Sequence, residues 1–161
     1  IPIYTGNTAA AMLWDLERHR AIATLHGNVG QVLAGRFVAS DRTIITTGND
    51  GAVRLWDGMT GKPGRIYRSR ARFFADASPT PDGSMIVAGD SEGQLSFWDT
   101  STGRLLWTLR AHKSHVVGVH FEGDDIVTRG FGGDLARWTL PRPELVIEAC
   151  SARAACAIVA R

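Results

Sequence analysis

The sequence has few of the residues from which catalytic, metal-binding or disulfide-stabilised proteins are built. Its 161 residues include two cysteines, Cys150 and Cys156, and five histidines without metal-ligand spacing. This scarcity excludes a disulfide framework, gives no indication of a zinc site and favours a reducing, cytoplasmic location. No Walker-type loop or nucleophile elbow is present, so we expect no enzyme activity, no cofactor and no metal.

An excess of charge of one sign and long apolar runs are lacking as well. The formal net charge is +2, with 21% charged and 44% hydrophobic residues, which is typical of an ordinary globular domain. Nothing in this balance demands nucleic acid or a membrane surface, so we expect neither as a partner. The one apolar-rich stretch, 145–161, contains charges and is a poor candidate for a membrane span.

What the sequence does contain is a repeat. Trp14, Trp56 and Trp98 lie 42 residues apart and each precedes an aspartate, and Trp138 follows 40 residues later. Each tryptophan closes a short run in which apolar and polar residues alternate, and this period of two indicates a β-strand. Between successive tryptophans there is room for three more strands of about five residues, separated by Gly, Asp, Asn or Pro turns. The sequence therefore predicts an all-β fold with four antiparallel strands per period.

Such a sheet cannot bury both of its faces alone, so we expect neighbouring sheets to stack radially as the blades of a propeller. The chain supplies about 3.5–4 such blades, which predicts a partial propeller. We expect the propeller at 1–141, with blades at about 1–25, 26–68, 69–109 and 110–141. The tail, 142–161, is expected to form a short helix or a last strand. An open arc exposes strand edges, so self-association that completes the ring is one expectation and a longer natural chain is another.

Over about residues 5–140 the chain resembles the WD-repeat family. The resemblance is carried by the Trp-Asp pairs, the GNDG turn (48–51), the TLHGN (24–28) and TLRAH (108–112) segments and the PDG turn (81–83). It implies a β-propeller that binds a protein or peptide partner. The Ala- and Arg-rich composition and this resemblance together suggest a C-terminal part of a larger, bacterial signalling protein.

Members of that family hold each blade together with a hydrogen-bonded set of His, Ser or Thr, Asp and Trp. The matching positions of the second blade are Asn28, Thr46, Asp50 and Trp56. Those of the third are Arg70, Ala88, Glu92 and Trp98, where we expect an Arg70–Glu92 ion pair in place of the usual contact. Those of the fourth are His112, Thr128 and Trp138, with Gly132 in place of the aspartate.

In this family the partner meets the mouth formed by the loops before first strands and the turns between second and third strands. The resemblance places seven residues there: Phe131, Arg72, His115, Phe73, Gln31, Asn49 and Ser91. Phe131 is the least expected, because a turn flanked by glycines has no packing reason for an aromatic residue. Aromatic and Arg side chains dominate protein interfaces, so we expect Phe131, Arg72 and His115 to contact the partner. The alternative is that Phe131 shields a neighbouring blade. The predicted function is a non-catalytic interaction scaffold.

An alternative function is that of a quinoprotein-like propeller enzyme. The segment DTSTGRLLW (99–107) resembles the tryptophan-docking turn of quinoproteins through Asp99, Thr102, Gly103 and Trp107. A basic stretch, 62–72, could bind phosphate or an acidic peptide, but its alternation favours an outer strand with solvated side chains.

Overall fold

A computed structural model of the chain describes residues 3–5, 10–38 and 42–140. These residues form fourteen β-strands and no helix. The first sheet contains β1 (Ile3–Thr5), β2 (Ala10–Asp15) and β3 (Arg20–His26). The second contains β4 (Val32–Val38), β5 (Thr43–Gly48), β6 (Ala52–Asp57) and β7 (Pro63–Arg68). The third contains β8 (Phe74–Pro79), β9 (Met85–Asp90), β10 (Gln94–Asp99) and β11 (Leu105–Arg110). The fourth contains β12 (Val116–Glu122), β13 (Asp125–Gly130) and β14 (Leu135–Thr139).

Within each sheet the strands are antiparallel and follow one another in chain order. These four sheets, called blades 1 to 4 below, confirm the predicted fold class of propeller blades. The expected tail, 142–161, and its two cysteines lie outside the described residues.

The tight turns between second and third strands use glycine because the next blade approaches them closely. In blade 2, Gly51 has a φ of 63°, and a Cβ on it would lie 2.3 Å from the carbonyl oxygen of Ala71. In blade 3, Gly93 has a φ of 86°, and a Cβ would lie 2.2 Å from the carbonyl oxygen of His112. Only glycine combines this backbone conformation with so close an approach.

The core lies between blades. Blades 1 and 2 bury a cluster that includes Leu13, Leu25 and Trp56. Blades 2 and 3 bury another around Tyr67 and Trp98, and blades 3 and 4 share a third cluster. Each sheet therefore gains its stability by removing apolar area from water against its neighbours, as the repeat pattern requires.

Polar contacts also join the innermost strands of three blades. Asp76, on β8 of blade 3, is buried and accepts a hydrogen bond of 2.9 Å from the amide of Val119 on β12. Arg36 on β4 pairs with the same carboxylate and reaches the Val119 carbonyl oxygen at 3.3 Å. This contact links blades 2, 3 and 4, and the repeat pattern gave no indication of it.

Trp14 departs from the expectation that every tryptophan anchors its blade. Its side chain is 36% exposed, whereas Trp56 is 3% and Trp98 is 0% exposed. The tryptophans of blades 2, 3 and 4 each pack toward the preceding blade, and the structure describes no sheet ahead of blade 1.

Candidate functional site

Blade 4 contains a complete chain of polar side chains. The indole N–H of Trp138 donates to Thr128 Oγ1 at 3.1 Å, and Thr128 Oγ1 lies 2.8 Å from Nε2 of His112. Nδ1 of His112 lies 2.5 Å from Oδ2 of Asp134. Because a carboxylate only accepts, Nδ1 donates to it, and this hydrogen bond holds the pKa of Asp134 below its usual value.

The aspartate of this chain is therefore Asp134. The expectation of a missing aspartate at Gly132 was wrong, because the glycine-rich turn lets a carboxylate two residues further along reach His112. Gly130 shows how tightly the turn closes: a Cβ on it would lie 2.4 Å from Asp134 Oδ1.

In blade 2 an ion pair joins the corresponding loop and turn. Trp56 donates to Thr46 Oγ1 at 2.9 Å, as the family pattern predicts. Arg54 takes the place of the histidine: it donates to Oδ1 of Asn28 at 3.0 Å and to Oδ2 of Asp50 at 2.5 Å. Burial alone would raise the pKa of Asp50, but the hydrogen bonds from Arg54 and from the amide of Val29 outweigh it and lower that pKa.

Blade 3 contains no such chain, and the expected Arg70–Glu92 ion pair was wrong. Both side chains are exposed, and the described residues show no ion pair between them. Asp90 closes this turn instead, because it accepts the amides of Glu92 and Gln94, at 2.8 and 2.9 Å. With Ala88 in the hydroxyl position, Trp98 donates instead to the carbonyl oxygen of Arg68 in blade 2, at 3.3 Å.

These contacts position loops and turns that meet at one end of the blades, which we call the mouth. We define it by 27–31, 48–51, 69–73, 90–93, 111–115 and 130–134. One backbone hydrogen bond recurs there in three blades, from a turn residue to the residue just before the first strand. The pairs are Asn49 to Gln31 at 3.0 Å, Ser91 to Phe73 at 3.2 Å and Phe131 to His115 at 2.8 Å.

The structure thus brings the seven residues proposed for partner contact to the same end. Gln31, Asn49, Arg72, His115 and Phe131 are exposed, while Phe73 and Ser91 are half-buried. The Ser91 hydroxyl itself is fully buried and has no partner among the described residues, so it does not present its oxygen at the surface.

Three of these residues form a continuous row of rings across blades 3 and 4. Phe73 packs edge-on against His115, with ring centroids 5.3 Å apart, and His115 contacts Phe131 at 5.7 Å. Phe131 is 73% exposed at the end of the row. We call this the aromatic row. It offers apolar area at low entropic cost, because each ring is already held by a neighbour.

The other end of the blades carries the Trp-Asp aspartates, and these cap turns. Asp99 accepts hydrogen bonds from the hydroxyl groups of Ser101 and Thr102 and from the amide of Thr102. These bonds lower the pKa of Asp99 to about 2. Asp57 is held by Thr60 in the same way, and its pKa is also lowered.

The residues that suggested a quinoprotein turn have structural roles here. Trp107 stacks on Phe97 with ring centroids 4.9 Å apart, and Thr102 caps Asp99. Arg65 of blade 2 contacts this turn and donates to the carbonyl oxygens of Ser101 and Thr102, at 2.6 and 3.0 Å. The basic stretch therefore contributes a strand, β7, as its alternation predicts, and Tyr67 within this strand is buried.

Chemically reactive clusters are sparse in the described residues. Among residues 3–5, 10–38 and 42–140 no group of three or more His, Cys, Asp and Glu side chains could hold a metal ion. A groove lined by Phe37, Pro79 and Phe121 opens at the end opposite the mouth. Its one carboxylate, Asp82, is engaged by the hydroxyls of Thr80 and Ser84. This part of the chain also forms no helix of the length and hydropathy that crossing a membrane requires.

Comparison with known proteins assigns the repeat to a family. A family model described as outer membrane protein assembly factor BamB matches residues 5–137. The chain belongs to this family. The computationally designed protein Ika4 superposes with a TM-score of 0.74 at 21% identity, over 86% of this chain and 84% of the design. The longer design Ika8 gives 0.73 at the same identity, over 86% of this chain and 42% of its own. Both superpositions support the propeller fold.

Curated relatives support the WD-repeat character of this family member. The guanine nucleotide-binding protein subunit beta of Oryza sativa subsp. indica is 26% identical over 144 residues, covering 81% of this chain and 38% of the relative. The nuclear distribution protein nudF of Aspergillus niger is 28% identical over 106 residues, covering 65% of this chain and 24% of the relative. The chain thus spans well under half of these relatives. These similarities support WD repeats and a β-propeller.

Sequence reasoning missed two residues that hold the loops and turns of the mouth. Alternation along β6 puts Arg54 on the same face as Trp56, and a charged residue on a buried face requires a partner, so the sequence did carry a signal for this contact. Asp134 carried no such signal, because its role depends on the path of the glycine-rich turn.

Proposed function

We propose that the chain is a non-catalytic scaffold that binds a peptide or protein partner at the mouth. The observation that carries this proposal is the aromatic row. Phe131 exposes 73% of its surface although the core between blades 3 and 4 is well packed. Exposed aromatic rings that are held in place are typical of protein interfaces.

The comparisons support a binding role without naming this chain's partner. The family model carries the name of an assembly factor, and the beta subunit's name states membership of a multi-subunit protein. We further propose that the chain is a module of a larger signalling protein of bacterial origin, in which the propeller supplies the docking surface. A cytoplasmic location stays a prediction from the sequence.

The second candidate, a quinoprotein-like enzyme, has less support. Asp99, Thr102 and Trp107 are engaged in turn capping and ring stacking, at the end opposite the mouth. An enzyme would need acids, bases or ligands that converge on one cleft. We therefore place the function in binding.

Selection from a random peptide library displayed on phage tests the proposal, with the chain immobilised as the target. We expect enriched peptides that bind the unmodified chain and lose binding to Phe131→Ala. Met59→Ala is the matched control, because Met59 is 70% exposed and lies in a turn at the opposite end. A partner site at the mouth would be contradicted if no peptide is enriched, or if the enriched peptides bind Phe131→Ala and Met59→Ala equally well.

Self-association to complete the ring is a separate proposal. It is supported by the exposed Trp14, which lies on a blade 1 face with no described neighbouring sheet. Sedimentation velocity tests it: a discrete dimer that Trp14→Ser disrupts supports the proposal, and a monomer at all concentrations contradicts it.

A further inference from the structure

We infer that the segment which docks on the aromatic row is acidic and carries an apolar side chain, an inference that rests on the proposed function. Two independent features of the mouth lead to it. One is the geometry of the rings, and the other is the way in which the carboxylates of the mouth are already used.

The rings account for the apolar part of the partner. Phe73, His115 and Phe131 contact one another in sequence, so their exposed edges form one surface that bridges blades 3 and 4. A single aromatic or aliphatic side chain laid across such a surface removes apolar area on both sides from water. The rings of the protein lose little conformational entropy on binding, because they are already packed against one another.

The carboxylates of the mouth are mostly engaged within it. Asp50 is paired with buried Arg54, and Asp90 accepts two turn amides. Asp134, whose side chain is 57% exposed, hydrogen-bonds to His112, and its lowered pKa keeps it negatively charged. The carboxylate of Glu92 is exposed, and among the described residues it accepts a hydrogen bond from the Gln94 side chain, at 3.4 Å.

The cations of the mouth are, by contrast, available. Arg70 and Arg72 are exposed, and their side chains make no ion pair or hydrogen bond with a described residue. Arg72 directly precedes Phe73 of the aromatic row, and Lys113 lies exposed in the loop that leads to His115. Two arginines without a described partner beside a row of rings complement a partner that combines negative charge with an apolar side chain.

The same charges disfavour two other ligands. At the Phe73 end of the row, a cationic side chain would be repelled by Arg70 and Arg72. Single-stranded nucleic acid also uses rings and cations, but it needs a basic groove that follows its backbone. Three cations with the exposed carboxylates of Glu92 and Asp134 among them do not make such a groove.

Fluorescence anisotropy with four labelled probes tests the inference. The probes are a Glu/Asp-rich peptide with one central Phe, the same peptide with Ala at that position, a Lys-rich peptide with the central Phe, and oligothymidylate. We expect binding of the acidic Phe peptide, about tenfold weaker for its Ala version and for the variant Arg72→Glu. Binding should weaken several-fold between about 50 and 300 mM salt, because exposed charges are screened. Arg104→Glu, an exposed arginine at the opposite end, is the control and should change little.

The outcomes separate this inference from the proposed function. Equal or tighter binding of the Lys-rich peptide or of oligothymidylate overturns the acidic partner. The acidic partner is also overturned if the acidic Phe peptide fails to bind while the phage selection still enriches peptides that need Phe131. In that case the proposed binding site at the mouth still stands. A selection that enriches no peptide dependent on Phe131 overturns both.

Discussion

Blades 3 and 4 hold equivalent tryptophans by opposite means. In blade 4 the indole N–H of Trp138 enters a chain through Thr128 and His112 to Asp134. In blade 3 the hydroxyl is replaced by Ala88, and Trp98 is fully buried between Tyr67 and Phe74, with ring centroids 6.0 and 5.4 Å away.

The difference teaches that the tryptophan and the polar chain have separable roles. Burial of the indole stabilises the packing between blades whether or not a hydroxyl is present. The polar chain instead ties a loop of the mouth to a turn of the mouth, as His112 and Asp134 do in blade 4. Blade 2 uses a third arrangement, in which buried Arg54 connects Asn28 to Asp50.

The largest effect is expected from removing the buried indole of blade 3. Trp98→Ala should lower the free energy of unfolding by about 3–5 kcal/mol, because it opens a cavity between blades 2 and 3. Urea denaturation followed by circular dichroism measures it. Trp138→Ala is the matched change in blade 4 and should cost less, because Trp138 is only half-buried. Equal losses at the two positions would contradict the comparison.

The ion pair of blade 2 should come next. Asp50→Ala leaves the guanidinium of Arg54, 3% exposed, buried without its carboxylate, and should cost about 3 kcal/mol. The double variant Asp50→Ala/Arg54→Met also removes the unpaired buried charge and should recover much of the lost stability. Chemical denaturation of both variants checks this, and a double variant that is less stable than Asp50→Ala would count against an ion pair that stands in for the histidine.

Exchanging the hydroxyl between blades sharpens the comparison further. Thr128→Val keeps the shape but leaves the Trp138 N–H and His112 without their shared partner, which should cost about 1–3 kcal/mol. Ala88→Thr in blade 3 should also destabilise, because Ala88 is fully buried and the new hydroxyl would enter a packed interface. Thermal unfolding measures both; a stabilised Ala88→Thr would show that blade 3 merely lacks its hydroxyl.

The smallest effect concerns pH. The pKa of Asp134 is lowered by its hydrogen bond with His112. A carboxyl with a lowered pKa in the folded state contributes stability above its unfolded pKa, and this contribution is lost as the pH falls through the folded pKa. The unmodified chain should therefore lose more stability below about pH 4 than Asp134→Asn does. Unfolding curves from neutral to acidic pH test this, and parallel curves for the two proteins would contradict it.

The sequence predicted the elements that depend on local pattern. The strands were predicted from the alternation around Trp56 and Trp98 and from the glycine turns. The number and spacing of the blades were predicted from the repeat period. The positions of Phe131 and His115 at one end followed from the family's topology, and the structure joins them by a backbone hydrogen bond.

What could not be predicted depends on contacts between distant residues. Arg36, Asp76 and Val119 meet across three blades, and no local pattern records that proximity. The Arg70–Glu92 pair failed for a related reason: matching side-chain lengths say nothing about where two exposed side chains point. Asp134 was overlooked because one turn departs from the family's spacing.

Site-specific photo-crosslinking tests the central claim, that the mouth is the binding surface, most directly. A benzophenone amino acid is placed at position 131 in the mouth or at position 59 at the opposite end, in the presence of a selected peptide. The account predicts a crosslink from position 131 and none from position 59. A crosslink from position 59 alone would contradict it.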